Sequence, residues 1–335
     1  MPPAPMREDG VVPTDPMSAT PTPADVPFTA ALRAALRDAV LAAAAAARPL
    51  VGAGDGDAVD CAAVEALRRA LAGAPADIRV VSGEGEKDGA PMLHPGESFG
   101  TGHGPALDLA VDPVDGTRLA AAGRPGAMAI LAVAPRGAFV DLGPAHYLDK
   151  LVHGGADAGL ELRAPVSENL ARLAAARGVR VADLRVAVQS RPRNADVAAA
   201  VVRTGARLHA FAHGDIERVV HAAASGGSLD LLLGIGGAPE GVLEAAIVRA
   251  HGGVMQASFA PQTPREAERV AAAGLDPARV FGLRELCGAP ALVVIAPVTG
   301  CALGPAVSDL VDVAPGPLVA DLGHDAGWRI HDDAG

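Results

Sequence analysis

The chain has 335 residues and a formal net charge of -11; half of its residues are apolar, yet aromatics make up only 2%. That length gives one large domain or two fused lobes with a core of Val, Leu, Ile and Ala. The acidic balance excludes nucleic acid as a natural partner but leaves room for small anionic substrates wherever cations or arginines reverse the local sign. No apolar run approaches the roughly 20 residues of a membrane span, and no secretion signal is read at the N-terminus. Three cysteines without a metal spacing, Cys61, Cys287 and Cys301, fit a reduced cytoplasm.

Residues 1–26, rich in Pro, Thr, Ala and Asp, read as a disordered tail. The alanine-rich stretch from Phe28 to Arg48 predicts a helix, broken at Gly52-Ala53-Gly54, and a second helix runs from Ala58 to Ala72. Ile78–Ser82, Leu107–Val111, Ala127–Val133 and Ala138–Asp141 predict strands. The second half alternates. Helices are expected at Ser167–Arg177, with Ser167 as cap, and at Ala195–Thr204, Asp215–Ala224 and Pro239–His251; strands are expected at Leu184–Val188, Arg207–Ala212 and Leu229–Leu233. This pattern argues for a layered α/β architecture. A boundary near residues 152–166 divides an N-terminal lobe, 27–155, from a C-terminal lobe, 156–335.

Chemistry concentrates in four short pieces: Asp55 to Asp60, Gly83-Glu84-Gly85-Glu86-Lys87-Asp88, Asp112-Pro113-Val114-Asp115-Gly116-Thr117-Arg118, and Gly234 to Gly241 with Glu240 inside it. Asp112 emerges at the end of the apolar run LDLAV, where α/β sheets place their ligands. Pro113 fixes the exit direction, and Asp115 is close enough in sequence for one turn to bring both carboxylates together. Gly116 lets the backbone approach a ligand, and Thr117 offers a hydroxyl. Asp-Pro and Asp-Gly are also common turn sequences, so the hexapeptide alone reads as a loop as readily as a site. Glu84, flanked by glycines after the strand IRVVS, is what turns the balance. Several carboxylates at one point repel unless a cation lies between them, and an all-oxygen donor set suits Mg²⁺ or Mn²⁺ rather than zinc.

These residues carry a resemblance. GEGEKDGAPM, GTGHGPALDLAVDPVDGTR, HYLDKL, RPRNADV, HGD and LLLGIGGAPEGVLEAA stand in the order of the class II fructose-1,6-bisphosphatases, which belong with inositol monophosphatase to the lithium-sensitive phosphatase superfamily. The likeness runs from about residue 52 to residue 256 and is weak beyond, where Ala296–Gly300 stands in place of the family's ATGIT. It implies a layered αβαβα sugar-phosphatase fold of two sheet-containing lobes, the first binding metal and the second substrate. It also implies a cytoplasmic homo-oligomer with no membrane partner.

By position, Asp60 and Glu84 match ligands of one Mn²⁺ or Mg²⁺, and Asp112, Asp115 and Glu240 ligands of a second. Asp115, Gly116 and Thr117 match the phosphate-holding segment. Tyr147, Arg191, Pro192, Arg193, His213, Gly214, Asp215 and Gly237 match substrate-binding positions, with Arg191 and Arg193 suited to clamp a distal phosphate. Thr117 with Asp60 or Asp88 would orient a metal-activated water for in-line attack. The implied reaction is hydrolysis of the 1-phosphate of fructose 1,6-bisphosphate or of sedoheptulose 1,7-bisphosphate.

The chain also departs from the family. Gly56 stands where the family has a lysine, Arg191 replaces another lysine, His213 replaces an aspartate, and Asp115 replaces a glutamate. The metal ligands are kept while the sugar-facing rim has changed, which opens two alternatives: a phosphatase of another sugar or cyclitol phosphate, or a catalytically silent phosphosugar-binding relative. A nucleotide-binding module is a third, lesser reading, because GIGGAPEG lacks the Lys-Ser/Thr ending of a phosphate loop.

Overall fold

The computed structural model of the protein describes residues 28–83, 85–87, 90–224, 226–301, 318–323 and 327–332. The predicted tail, Glu84 and Asp88 lie outside them.

Two helices open the described chain, α1 (Ala30–Ala47) and α2 (Gly56–Leu71), with Thr29 and Asp55 accepting from the first-turn amides of Leu32 and Ala58. Such caps contribute about 1 kcal/mol each. Pro49 ends α1 in a 3-10 turn over Arg48–Leu50. There follow β1 (Asp77–Ser82), β2 (Gly85–Lys87), β3 (Ala90–Met92), β4 (Ser98–Phe99), β5 (Ala106–Asp115), α3 (Thr117–Ala121), β6 (Met128–Pro135) and β7 (Tyr147–His153). Next come α4 (Val166–Arg177), β8 (Arg185–Gln189), α5 (Ala195–Arg203), β9 (Arg207–Phe211), α6 (Asp215–Ala223), β10 (Leu231–Gly237) and α7 (Ala238–His251). The described chain closes with β11 (Val254–Phe259), α8 (Pro264–Ala272), β12 (Val280–Gly282), α9 (Leu283–Leu286), β13 (Leu292–Pro297), β14 (Leu318–Gly323) and β15 (Gly327–Asp332).

One mixed sheet has the order β15-β14-β13-β6-β5-β1-β4 and a second the order β12-β11-β7-β10-β8-β9, while β2 and β3 pair by themselves. The period-2 alternation of strands sorts the side chains of the first sheet onto two faces. Along β6, Met128, Ile130 and Ala132 join one buried cluster and Ala129, Leu131 and Val133 another. The outer cluster holds Leu32, Leu36, Val40 and Leu67 of α1 and α2. The inner one holds Ile216 and Val219 of α6, Val242 and Ile247 of α7, and Leu148 and Val152 of the second sheet. A third cluster packs Leu170, Leu173 and Val201 of α4 and α5 on Val186, Val188 and Leu231. The layers are thus helix, sheet, helix, sheet, helix, an α/β architecture. The α7 helix lies between both sheets, which is why every residue from Gly241 to Val248 is buried, Glu244 among them. Among the described residues no helix is long and apolar enough to cross a membrane.

Three local expectations change. Ala138–Asp141 is not a strand; it makes a single bridge, Phe139 to Cys287, after the turn at Arg136-Gly137. The helix expected from Ser167 starts one residue earlier, with Pro165 in the cap position and no side-chain cap, so Ser167 lies inside the first turn. The strand placed at Leu229–Leu233 begins later and runs on to Gly237, because from Leu232 onward it pairs with β7, Gly237 opposite Tyr147.

Candidate active site

The C-terminal ends of β5, β8, β9 and β10, the start of β7 and the N-termini of α2, α6 and α7 surround a cavity of about 1310 Å³. One wall carries acids. Asp60 projects from α2 and Asp115 from the end of β5, both buried, and Glu240 from the first turn of α7. Tyr147, Gln189, Arg191, Arg193, His213 and Asp215 also line the cavity, Asp215 near enough to Asp115 for its charge to act on that carboxyl. A smaller adjoining cavity of about 140 Å³ shares Glu240 and adds Gly83 and Asp112.

The turn after β5 is built as its residues suggest. The pairing with β6 slips between Asp112 and Asp115, a bulge that lets the strand bend toward the cavity. The Asp112 carboxylate accepts from the Val114 amide at 3.0 Å. Gly116 takes a left-handed φ of 81°, a conformation that favours glycine. Thr117 Oγ1 lies 2.9 Å from both Asp60 Oδ1 and the Val114 carbonyl oxygen, its two possible acceptors. The amides of Gly52 and Gly54 donate to the Ala120 and Ala121 carbonyls at 2.9 Å, which docks the α1–α2 loop on α3 and brings Asp60 to Thr117. On the far side, Ser82 Oγ donates to the Pro239 carbonyl at 3.2 Å, tying the end of β1 to the start of α7.

The rim is held by a different set of bonds. Arg193 donates from Nε to the Ile235 carbonyl at 3.0 Å and from Nη2 to Gln189 Oε1 at 2.8 Å, and its guanidinium lies 4.6 Å from the centre of the Tyr147 ring. Arg191 Nη2 lies 2.8 Å from His213 Nδ1. Partial burial, then Arg191, Arg118 and Arg124, push the His213 imidazole below its ordinary range, so near neutral pH it is uncharged and Nδ1 accepts from Arg191. Asn194, fully buried, clasps the Ile235 amide at 2.7 Å and donates to two carbonyls.

The comparisons with known proteins fall on this arrangement. Residues 30–310 match the family described as "Bacterial fructose-1,6-bisphosphatase, glpX-encoded". The chain belongs to this family. Among its relatives, the Fructose-1,6-bisphosphatase 1 class 2 of Escherichia coli K12 is 43% identical over 206 residues, as are the Fructose-1,6-bisphosphatase class 2 proteins of Escherichia coli O6:H1 and Shigella flexneri. The aligned stretch covers 61% of this chain and 61% of each relative's length.

Of the residues singled out in the sequence, Asp60, Asp115, Gly116, Thr117, Tyr147, Arg191, Arg193, His213, Gly214, Asp215, Gly237 and Glu240 line the one cavity. Asp112 lines its smaller neighbour, and Pro192 opens the 3-10 turn that presents Arg193. Burial first, then the charges of Asp215 and Glu240, raise the Asp115 carboxyl well above the usual carboxylate range. Acids so crowded fit a cation among them, and their oxygens fit a hard divalent ion. Among the described residues no three His, Cys, Asp or Glu side chains stand close enough to hold a metal on their own. Glu84, the further ligand implied by the resemblance, lies outside the described residues.

Sequence reasoning passed over Gln189, Asn194, Lys150 and Glu244. Lys150 is one of only two lysines in the chain, and that rarity, inside the quoted HYLDKL, was the available signal.

Proposed function

We propose that the chain is a metal-dependent phosphatase that releases the 1-phosphate of fructose 1,6-bisphosphate or sedoheptulose 1,7-bisphosphate. The observation that carries this reading is the juxtaposition of Thr117, hydrogen-bonded to buried Asp60, with Asp115 and Glu240 across one cavity from an arginine-rich rim. Asp60, Asp112, Asp115 and Glu240, completed by Glu84, would hold Mg²⁺ or Mn²⁺. When bound, such a cation supplies charge neutralisation at the phosphoryl oxygens and a lowered pKa for the attacking water.

The protein's own groups orient the rest. When Thr117 Oγ1 donates its proton to Asp60, its lone pairs are left to accept from a water, and Asp60 is the base to which that proton can relay. The Asp115-Gly116-Thr117 segment holds the phosphoryl group. Arg191, paired with neutral His213, supplies the fixed positive charge for a second phosphate.

Gly56 and His213, the two positions that depart most in character from the family, both line the cavity. This favours, as a second reading, a different sugar or cyclitol phosphate as the preferred substrate. Phosphate release is measured over a panel of fructose 1,6-bisphosphate, sedoheptulose 1,7-bisphosphate, fructose 6-phosphate and inositol monophosphate, with Mn²⁺, with Mg²⁺ and with chelator. Metal-dependent preference for the ketose bisphosphates is expected. Preference for inositol monophosphate moves the case to the second reading, and no release from any of them by folded protein contradicts both.

A further inference from the structure

Behind the cavity lies an ion cluster that the proposed chemistry does not use. Lys150, on β7 three residues after Tyr147, is 1% exposed. Its Nζ donates to Asp215 Oδ2 at 3.0 Å and to Glu244 Oε1 at 2.5 Å. Asp215 Oδ1 accepts from Gln189 Nε2 at 2.9 Å, so both oxygens of this cavity-lining carboxylate are fixed from behind. Gln189 in turn accepts from Arg193, which lies over the Tyr147 ring. One chain of contacts therefore runs from the buried ammonium to the sugar-facing rim.

The surrounding backbone is shaped around this lysine. A Cβ at Gly236 would meet Lys150 Nζ at 2.5 Å and Cε at 2.8 Å, and also the Asp215 carboxylate. The glycine in the middle of β10 is thus what admits the lysine. Glu244 stands one helical turn after Glu240 on α7 and is fully buried, and its Oε2 has no hydrogen-bond partner among the described residues. Burial alone would pull the Lys150 ammonium down, but Glu244 and Asp215 outweigh it and hold it charged. A buried pair of this kind is seldom a net source of stability compared with an apolar filling. Its geometric effect, which locks Asp215 in one orientation, is the better account of its presence.

We infer that Lys150 is a positioning residue for the sugar moiety: through Asp215, and through Gln189 and Arg193 to Tyr147, it sets the grip on the phosphosugar, while Asp60 and Thr117 serve the phosphoryl group. The inference rests on the proposed phosphatase reading of the same cavity.

The test compares Lys150→Met with Glu244→Gln in the full chain. Both disturb the same buried pair, but only the first releases Asp215. KM and kcat are measured with fructose 1,6-bisphosphate and with para-nitrophenyl phosphate, which has no sugar hydroxyls, beside thermal unfolding. Lys150→Met is expected to raise KM for the bisphosphate by about tenfold or more, the scale of a lost hydrogen bond to a charged group. Its turnover of the aryl phosphate should stay within about threefold of the unaltered chain, and Glu244→Gln should leave the bisphosphate KM within about twofold. Equal losses on both substrates, or in both variants, would show a merely structural role and overturn the inference. If Lys150→Met does not fold, Gln189→Met decides. It removes the other hold on Asp215, and an unchanged bisphosphate KM would refute the positioning chain. Absence of turnover by the unaltered chain on either substrate would strike the phosphatase reading instead. Calorimetric affinity for fructose 1,6-bisphosphate in the same variants then settles Lys150, a loss of about tenfold in Lys150→Met supporting it and equal affinity overturning it.

Discussion

Gly237→Ala is a substitution whose effect follows from one distance set. Gly237 occupies the cap position of α7 with φ -66° and ψ 144°, a conformation open to any residue, so the backbone gives no reason for glycine there. The reason is Glu240. A Cβ on residue 237 would lie 2.5 Å from Glu240 Cδ and 2.8 Å from Oε1, with Oε2 nearer still. Ordinary contacts of this type sit near 3.5 Å, so the carboxylate must give way by about 1 Å. Glu240 is a flexible side chain at the cavity edge, and moving it off its rotamer costs only about 0.5–1.5 kcal/mol. The fold should therefore survive, with a drop in Tm of a few degrees. With Glu240 holding the metal as proposed, a displacement of about 1 Å would cost on the order of 10²-fold in rate. The assay is kcat for fructose 1,6-bisphosphate across a Mn²⁺ titration, with thermal unfolding measured alongside. Activity within about threefold of the unaltered chain at equal metal would refute the placement of Glu240 in the reaction.

Other outcomes follow from the same geometry. Thr117→Val removes the hydroxyl between Asp60 and the expected water and should lower kcat by about 10² or more, while Thr117→Ser retains most of it; comparable kcat values in the two variants would contradict the role of the hydroxyl. Burial pushes the Cys287 thiol up to about 11 and that of Cys301 up to about 12, whereas Cys61 is exposed, so a thiol reagent at pH 8 should modify one of the three cysteines in the native chain and all three after denaturation. Burial, then His221, lower the His251 imidazole from 6.5 to about 4. The folded chain resists a proton that the unfolded chain accepts. Its contribution is therefore fully present above pH 6.5 and is lost as pH falls toward 4, on the order of 3 kcal/mol across that window. In urea unfolding at pH 7 and pH 5, His251→Asn should lose less stability between the two than the unaltered chain; an equal loss would contradict the burial argument.

Much of the acidic wall was legible because it is local. The run LDLAV announces a buried strand, and Asp112 to Thr117 place acids, a turn and a hydroxyl within one loop, so sequence neighbours remain spatial neighbours. The β6 segment was legible as a strand because Ala127–Val133 is one short apolar run, and the α7 segment as a helix from Pro239 to His251. The glycine-rich end of β10 was hidden, since Gly234, Gly236 and Gly237 weaken a strand signal. Their cause is the close approach of Asn194, Lys150, Asp215 and Glu240, which come from distant parts of the chain. Nor does local pattern predict the return of β13 to pair with β6 in the first sheet. Lys150 was missed because a lysine within a strand reads as an exposed position until its two carboxylate partners, 65 and 94 residues away in sequence, are placed beside it.

The central claim is that the converging carboxylates and Thr117 perform metal-dependent phosphate hydrolysis on a ketose bisphosphate. The most direct measurement is inorganic phosphate released from fructose 1,6-bisphosphate by the purified chain with Mn²⁺, with Mg²⁺ and with chelator, beside Asp112→Ala. The account predicts turnover with a divalent cation, none with chelator, and a loss of at least about 10² in the variant at unchanged fold. Turnover that persists in chelator, or that Asp112→Ala leaves intact, would contradict it.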